Sequence, residues 1–352
     1  MTKRPILQLE PSQLAQWCDE RGEAAYRAWQ VRRWILQGQA TSFAPMTDLP
    51  QQLREALEAD FCAFGTHVET SRAAADATHK LLVRLADGQA VECVAMAEAN
   101  RRTVCVSTQV GCAMACAFCA SGLDGVVRNL EPYEIVEQFL HARNTMGRLT
   151  HAVIMGMGEP LANFDNLLAA LETVCHGDGL NLSQRHVTIS TVGLPERIRR
   201  LAELGKSYQL AVSLHAPDDE LRNQLVPPNR KTGIERLLEA VDYFFERTGR
   251  QVTFEYVLLR DVNDSAECAR RLARLLAPRK VHVNLIPYNP VEGLAYETPR
   301  AEAVHQFAEL LRRSGLSVKV RKTKGRKIDA ACGQLRLSWR QERPVALAGA
   351  SG

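Results

Sequence analysis

The stretch that decides the fold runs from Thr103 to Cys119 and reads TVCVSTQVGCAMACAFC. An apolar run, predicted as a strand over 103–108, leads directly into Cys112, Cys116 and Cys119 with CxxxCxxC spacing. Three thiolates so close in sequence can surround one soft metal centre. A structural zinc site usually takes its four ligands from two CxxC pairs, and the sequence has no second pair. Three ligands fit a [4Fe–4S] cluster that leaves one iron open to a small molecule, which implies catalysis.

Two other interpretations of these cysteines stay open at this point. The chain has ten cysteines, so the spacing could arise by chance, and a zinc-loaded protein without enzymatic activity could use the same thiols. Most of the remaining cysteines stand singly in helical or apolar surroundings. We interpret these as thiols without a chemical role: Cys18, Cys62, Cys93, Cys175 and Cys268.

Strands and helices alternate from residue 103 onward. Helical crossovers of this length mean that the strands pair in parallel. Six or seven such units fit a partial (β/α)6-type barrel better than a three-layer sheet, and in barrels the working residues follow the carboxyl ends of the strands. The predicted strands are 103–108, 151–155, 186–190, 208–214, 252–258, 281–286 and 316–321, and the predicted helices include 131–144, 163–175, 232–246, 264–276 and 298–313.

The chain before this barrel has a different pattern. Apolar residues recur at helical spacing over 9–37 and 50–61, and two apolar runs, 80–86 and 90–96, flank an Asp-Gly turn typical of a β-hairpin. We therefore expect a small α+β accessory domain in front of the barrel and a short segment behind it. The predicted boundaries are 1–98 for the accessory domain, 99–322 for the barrel and 323–352 for the C-terminal segment.

A glycine-rich turn, Gly156-Met157-Gly158-Glu159-Pro160, follows the predicted strand 151–155. It is not the dinucleotide-binding GxGxxG pattern, because Leu161 occupies the last glycine position. Glycines allow a ligand to approach the backbone, and Glu159 can accept hydrogen bonds from an ammonium group. By itself the turn could equally carry a solvent-exposed carboxylate.

Polar residues also follow other predicted strands, where a barrel places ligand-binding groups. A single serine or histidine at such a place is more often a capping or packing residue, but a shared position at the strand ends favours a binding role. The candidates are Ser190, Ser213, Leu214 and His215 in the string SLH, and Asn289.

The C-terminal segment begins with a basic run and contains an isolated cysteine. Residues 321–327 carry five basic side chains in seven positions, which is usual for a solvated face and also suits phosphate binding. Cys332 follows among alanines and a glycine, small residues that would let a substrate come near.

Composition and charge set broad limits on function. The chain has 352 residues, 46% hydrophobic and 24% charged, and a net charge of +4, all ordinary for a globular protein. No apolar run approaches the roughly 18–20 residues of a membrane span, and the N-terminus lacks the apolar core of a secretory signal. We expect a cytoplasmic protein without membrane contact, and a monomer, because nothing in the sequence indicates oligomerisation.

The CxxxCxxC motif and the GMGEP turn resemble those of the radical S-adenosylmethionine (SAM) superfamily. In that superfamily the motif follows the first barrel strand, and the open iron binds the amino and carboxylate groups of SAM. An electron from the cluster cleaves SAM to a 5′-deoxyadenosyl radical. The resemblance implies that Cys112, Cys116 and Cys119 bind one [4Fe–4S] cluster. It also implies that Gly158 and Glu159 hold the SAM amine.

Within that superfamily the chain resembles the RlmN/Cfr family of RNA adenine methyltransferases over almost its whole length. The resemblance implies a radical SAM barrel preceded by a small domain. The matching strings occur in family order: YRAWQV at 26–31, VCVSTQVGCAMACAFC at 104–119, GMGEP at 156–160, VTIST at 187–191, SLHAP at 213–217, PYNP at 287–290 and IDAACGQL at 328–335.

The family resemblance implies a role for three further residues and two SAM molecules per turnover. The thiolate of Cys332 attacks the sulfonium methyl of one SAM, and the radical from a second SAM takes a hydrogen atom from that methyl. The carbon radical then adds to adenine, forming a temporary protein–RNA bond that Cys105 resolves through a disulfide. Glu92 matches the position assigned as proton acceptor. A radical is needed because adenine C2 is too electron-poor to attack SAM.

The same resemblance implies RNA partners and leaves regiochemistry open. One branch of the family methylates adenine C2 and the other C8. The string GLDGVVRNL, residues 122–130, resembles the C2 branch, although Lys327 stands where that branch commonly has an acidic residue.

The implied substrates are 23S rRNA near the peptidyl-transferase centre and tRNA position 37. A flavodoxin-like electron donor is plausible, and basic residues at 321–327 and the N-terminal domain are candidates for RNA contact. A superfamily enzyme with another substrate and a non-enzymatic zinc or RNA-binding protein are the alternatives.

Overall fold

The N-terminal part of the chain is built from short helices. In the computed structural model, which describes residues 3–321, 328, 330 and 333–335, the predicted helical stretch 9–37 is two helices separated by a turn at Gly22, whose φ is +74°. The first helix starts where the Gln13 side chain accepts a hydrogen bond from the Glu10 amide (3.0 Å). The elements are β1 (Arg4–Pro5), α1 (Pro11–Asp19), α2 (Tyr26–Leu36), α3 (Gln51–Asp60) and β2 (Phe61–Cys62), with β1 and β2 paired in parallel.

Three antiparallel strands follow: β3 (His67–Ala73), β4 (Thr78–Arg84) and β5 (Ala90–Glu98). The last two form the predicted hairpin. β3 was not predicted, because nearly all its side chains are exposed and its sequence, HVETSRA, therefore has no apolar face that would produce a period-two pattern.

The barrel confirms the predicted alternation of strands and helices. Its helices begin and end within a few residues of the predicted positions, and α6, α7 and α8 are additional. The elements are β6 (Arg101–Cys105), β7 (Gln109–Gly111), β8 (Val126–Asn129), α4 (Pro132–Met146), β9 (His151–Ile154), α5 (Phe164–Cys175), β10 (Val187–Thr191), α6 (Pro195–Glu203), β11 (Gln209–Ser213), α7 (Asp219–Leu225), α8 (Asn229–Thr232), α9 (Ile234–Thr248), β12 (Val252–Leu258), α10 (Ala266–Leu276), β13 (Val281–Pro287), α11 (Ala301–Arg313) and β14 (Ser317–Val320).

Ten strands form one continuous sheet. The strands β6 and β9 to β14 lie side by side in chain order and pair in parallel, as the partial barrel prediction requires. On the other side of β6, the strands β5, β4 and β3 extend the sheet antiparallel. Hydrogen bonding thus continues across residue 98, and the predicted domain boundary there stays a prediction. β7 and β8 form a separate two-stranded sheet.

Alternation along the barrel strands separates the interior of the barrel from its helical coat. In β12, Glu255 and Val257 line internal cavities, whereas Tyr256 packs outward against Phe307 of α11 with ring centroids 5.2 Å apart. Crossovers cover the outer face of the sheet, so the main core lies between strands and helices. In the part of the chain that the structure describes, no helix combines the length and the apolar character needed to cross a bilayer.

Candidate active site

A cavity at the carboxyl ends of the barrel strands contains most of the predicted site residues. It encloses about 920 Å³, including its open mouth, and is called the chamber below. Residues distant in sequence meet here because parallel strands end at the same edge of the sheet. The chamber is lined by, among others, Cys112, Cys116, Cys119, Gly158, Glu159, Ser190, Ser213, His215 and Asn289.

The loop that carries the three cysteines is fixed at both ends by backbone hydrogen bonds. The Cys112 amide donates to the Gly125 carbonyl (2.8 Å), and the Ala117 amide donates to the Leu225 carbonyl at the end of α7 (3.0 Å). Gly111, at φ +78°, lies against the same residue 125: a Cβ atom there would be 2.0 Å from the Gly125 oxygen. The loop before Cys112 therefore requires glycine.

The arrangement of the three thiols is compatible with a cluster, in which each sulfur binds a different iron. Among the described residues, no group of three or more His, Cys, Asp or Glu side chains is close enough to hold one metal ion. In a cubane each thiolate binds a different iron, so the sulfurs need not converge on one point. Burial raises the pKa of Cys112 to about 12, and burial together with the neighbouring Cys119 and Cys112 raises the pKa of Cys116 well above its usual range. Bound iron deprotonates such thiols outright.

Glu159 is a buried carboxylate held by two strand ends. Its two oxygens accept hydrogen bonds from the amides of Leu161 (3.0 Å) and Val192 (2.8 Å), and its own amide donates to Gln109 Oε1 (2.8 Å). Burial, the largest effect, raises its pKa. A carboxylate oxygen has further lone pairs, so Glu159 can still accept from an ammonium group in the chamber.

The glycines of the GMGEP turn have a packing reason that sequence analysis did not identify. A Cβ atom on Gly156 would lie 2.6 Å from the Val106 carbonyl, and one on Gly158 (φ +99°) would lie 2.6 Å from Gln109 Cβ. The two glycines thus allow the turn to pack closely against residues 106–109, the segment that leads into the cysteine loop.

His215 and its neighbours form another wall of the chamber. Its Nδ1 accepts a hydrogen bond from the Val257 amide (3.1 Å), which places the proton of a neutral ring on Nε2. Burial, followed by the charge of Arg222, lowers its pKa to about 3, so the imidazole is neutral at pH 7. Ser190, Ser213 and Asn289 line the chamber, whereas Leu214 does not: its amide donates to the Glu255 carbonyl (3.0 Å).

Cys105 and Glu92 lie outside the chamber but on the inner face of the sheet. Cys105 is directly opposite Val94, and Glu92 lies two residues from Val94 on β5, so all three side chains share one face. Thr103, two residues before Cys105, lines a second cavity inside the barrel, the lumen, which identifies this face as the inner one. Glu92 is buried and forms an ion pair with Lys80 Nζ (3.0 Å).

Cys332 and most of the basic run, residues 322–327, lie outside the described residues. Residues on either side of them that the structure does describe line the two cavities: Ala330 lines the lumen, and Arg321 and Gly333 line the chamber. The Gly333 carbonyl accepts from the Ala120 amide (2.8 Å), next to Cys119.

Two charged residues of the site were missed by sequence analysis. Glu255 lines both cavities and accepts from Asn284 Nδ2 (2.8 Å), and Arg222 lies fully buried behind the chamber wall. Arg222 belongs to the charge-rich stretch DDELRNQ, in which no local pattern separates a buried arginine from a solvated one.

Similarity to known families covers both parts of the chain. Residues 106–273 match the Radical SAM superfamily, and residues 5–63 match the Ribosomal RNA large subunit methyltransferase N-terminal domain. The second match lies within the predicted accessory domain.

Curated relatives and a solved structure extend over nearly the whole chain. A Rhodopirellula baltica protein named probable dual-specificity RNA methyltransferase RlmN is 52% identical over 95% of this chain and 91% of its own length. The Synechocystis protein of the same name is 44% identical over 96% of each. A radical SAM methyltransferase from Sphaerobacter thermophilus is 41% identical, covers 95% of this chain and 99% of its own, and superposes with a TM-score of 0.91.

Proposed function

The chain belongs to the RlmN family of radical SAM RNA methyltransferases, and from this premise we propose that it methylates C2 of adenine in 23S rRNA, near the peptidyl-transferase centre, and in tRNA at position 37. Because the chain belongs to this family, it is a SAM-dependent enzyme with a [4Fe–4S] cluster. The alternative interpretation, a zinc-binding protein without enzymatic activity, is therefore excluded. The observation that carries the proposal is the chamber in which the CxxxCxxC cysteines and Glu159 line one cavity.

The residues of the chamber fit both cofactors. Cys112, Cys116 and Cys119 would hold the cluster, and Glu159 with the backbone at Gly158 would hold the SAM amine. When bound, the reduced cluster supplies the electron that cleaves SAM to a 5′-deoxyadenosyl radical. Neutral His215 offers its Nε2–H as a hydrogen-bond donor, and the apolar side chains of Met114 and Phe118 limit water near the reacting groups.

Cys332 carries the methyl group in this proposal, and Cys105 releases the product. A thiolate at Cys332 attacks the methyl of SAM, with S-adenosylhomocysteine leaving. After a hydrogen atom passes from the S-methyl group to the 5′-deoxyadenosyl radical, the methylene radical bonds to adenine C2. The adduct then loses one electron, which the oxidised cluster would take up, and its C2 proton, which passes to Glu92. The Cys105 thiolate then attacks the Cys332 sulfur and breaks the bond from that sulfur to the methylene carbon. The carbon takes up a proton, so that the methylated base leaves and a disulfide remains. The shared inner face of Cys105 and Glu92, and the contacts of Gly333 beside Cys119, support these roles.

The RNA contacts and the cellular setting are also proposals. The target adenine must leave its stack, at a cost of a few kcal/mol that contacts to the RNA offset. The N-terminal domain and the basic run that begins at Arg321 are the candidates for these contacts. A flavodoxin-like electron donor, a monomeric state and a cytoplasmic location remain predictions from the sequence.

The decisive experiment is mass spectrometry of RNA after anaerobic reaction with reconstituted enzyme, SAM and reductant. We expect 2-methyladenosine in 23S rRNA fragments and in tRNA anticodon stem–loops. Formation of 8-methyladenosine would establish the alternative, a Cfr-type C8 methyltransferase. Cleavage of SAM without methylation of either RNA would indicate a superfamily enzyme with another substrate.

A further inference from the structure

Arg222 of α7 is a fully buried arginine with an unusual set of partners. Its side chain is 1% exposed. Its guanidinium donates to the carbonyls of Val192 (2.5 Å), Ser213 (3.0 Å) and Leu214 (3.1 Å), and to Asn229 Oδ1. Within the described residues it forms no ion pair. The hydrogen bonds of its guanidinium therefore go to neutral oxygens. The Asp219 carboxylate lies one side chain away, where it accepts from Asn229 Nδ2 (2.7 Å).

Through these hydrogen bonds Arg222 contacts the backbone of residues that line the chamber. The Val192 peptide is held from both sides: its amide donates to Glu159 Oε2 (2.8 Å), and its carbonyl accepts from Arg222. Ser213, which lines the chamber, offers its carbonyl at the end of β11. One side chain thus fixes the ends of two neighbouring strands and, through one peptide, the carboxylate proposed to bind the SAM amine.

The same helix also contacts the cysteine loop. The Leu225 carbonyl, less than one turn after Arg222, accepts from the Ala117 amide (3.0 Å), directly after Cys116. Val192, whose carbonyl accepts from the Arg222 guanidinium, lines the same cavity as Cys116. The positive charge is therefore fixed beside a ligand position of the cluster.

We propose that Arg222 is a positioning residue that holds a fixed positive charge beside the Cys116 side of the cluster and thereby makes its reduction easier. The inference rests on the proposed function only through the cluster and SAM, and not on the RNA target. Reduction adds a negative charge to a centre already bound by three thiolates. A cation nearby stabilises the reduced form more than the oxidised form and so raises the midpoint potential.

The test is an EPR-monitored redox titration of the reconstituted protein without RNA. Arg222→Met removes the charge at similar length, Arg222→Lys keeps it, and Asn229→Asp places a carboxylate against the guanidinium. The matched control is Arg271→Met: Arg271 lies on the outer surface, where it pairs with Asp218 at the start of α7 (2.9 Å) and its side chain is 45% exposed. Iron content and circular dichroism establish that each variant is folded and loaded.

We expect Arg222→Met and Asn229→Asp to lower the midpoint potential and Arg222→Lys and Arg271→Met to keep it near the wild-type value. Under limiting reductant, SAM cleavage by Arg222→Met should slow by about tenfold. A wild-type potential in loaded Arg222→Met would overturn the proposal, as would an equal fall in Arg222→Lys. If Arg222→Met does not fold, a wild-type potential in Asn229→Asp is the overturning result. Failure of RNA methylation alone, with these potentials as expected, would count against the proposed RNA target and leave Arg222 in its role.

Discussion

At the scale of single residues, the cysteines of β5 and β6 differ in the direction they face. Cys93 and Cys105 are both buried, and they lie on neighbouring strands. Cys93 donates to the Gln138 carbonyl of α4 (3.8 Å), on the outer face of the sheet, whereas Cys105 shares the inner face with Glu92. Both thiols are buried, so burial does not distinguish them. The pairing register of the strands does: it places Cys93 in the packing of the outer face and Cys105 on the inner face, where it is a candidate for chemistry.

This difference predicts opposite outcomes for two alanine variants. Cys105→Ala should let the protein–RNA adduct accumulate, because the thiol that releases it is missing; a gel shift stable to denaturant, with a matching intact mass, measures it. Cys93→Ala should turn over normally, with a loss of stability of about 1 kcal/mol. Normal multiple turnover by Cys105→Ala would show that its assignment is wrong.

The second residue-scale prediction concerns Cys332. Cys332→Ala should retain iron and cleave SAM when reduced, but transfer no methyl group to RNA, because no thiolate remains to accept the methyl. Iron analysis, 5′-deoxyadenosine formation and RNA mass spectrometry measure the three properties. The control is Cys268→Ala, at a half-buried cysteine of α10, which should transfer methyl groups like the wild type. Methylated RNA from Cys332→Ala would contradict the proposal.

At the scale of elements, the small β7–β8 sheet determines the shape of the cysteine loop. β7 ends at Gly111, directly before Cys112, and pairs with β8, whose first residue follows Gly125. The backbone at residue 111 lies so close to residue 125 that no side chain fits between them. The pairing of β7 with β8 therefore fixes the position of Cys112, the first proposed cluster ligand.

Gly111→Ala tests this arrangement. The left-handed conformation alone costs about 1–2 kcal/mol for a non-glycine residue, and the Cβ atom would also collide with the Gly125 oxygen. We expect a large loss of bound iron after reconstitution, with most of the helical circular dichroism retained. Gly177→Ala, where a Cβ atom meets nothing within 4 Å, should bind iron like the wild type. Full iron content in Gly111→Ala would refute the argument.

At the scale of the whole molecule, α4 joins the N-terminal helices to the barrel. Arg143, 5% exposed, donates to the carbonyls of Leu36 and of Ile35 (3.2 Å) at the end of α2, where a cation also suits the helix dipole. Glu137 accepts from the amides of Gly65 (2.9 Å) and Thr66 (2.7 Å) in the connection to β3. Two buried polar side chains of one helix therefore attach the family-specific N-terminal part to the catalytic barrel.

Arg143→Ala should loosen this attachment. Loss of its charge-assisted hydrogen bonds should cost roughly 2–4 kcal/mol, seen as faster proteolysis between α2 and β3, while iron content stays unchanged. If the N-terminal domain contacts RNA, affinity for a tRNA anticodon stem–loop should also fall. Arg148→Ala, at an exposed position after α4, is the control. Wild-type proteolysis and RNA affinity in Arg143→Ala would argue against both parts of the prediction.

The sequence by itself determined the barrel and the cysteine loop, because both depend on local chain properties. Parallel strands alternating with helices follow from periodicity, and three thiolates within one loop remain close in space whatever surrounds them. Motif order identified the family for the same reason. The seven parallel strands of the barrel were predicted to within a few residues, and Ser190, Ser213 and Asn289 were correctly expected at strand ends.

Only the tertiary structure decided which charges lie inside. Arg222 stands in a stretch whose composition matches that of a solvated surface, whereas Glu255 stands in an apolar strand that shows nothing of its partners. The burial of both depends on carbonyls and amides contributed by other strands. Register between β5 and β6 likewise placed Cys105 and Glu92 on one face, since pairing fixes which side of a strand faces inward. Such contacts join residues far apart in sequence, and no local pattern encodes them.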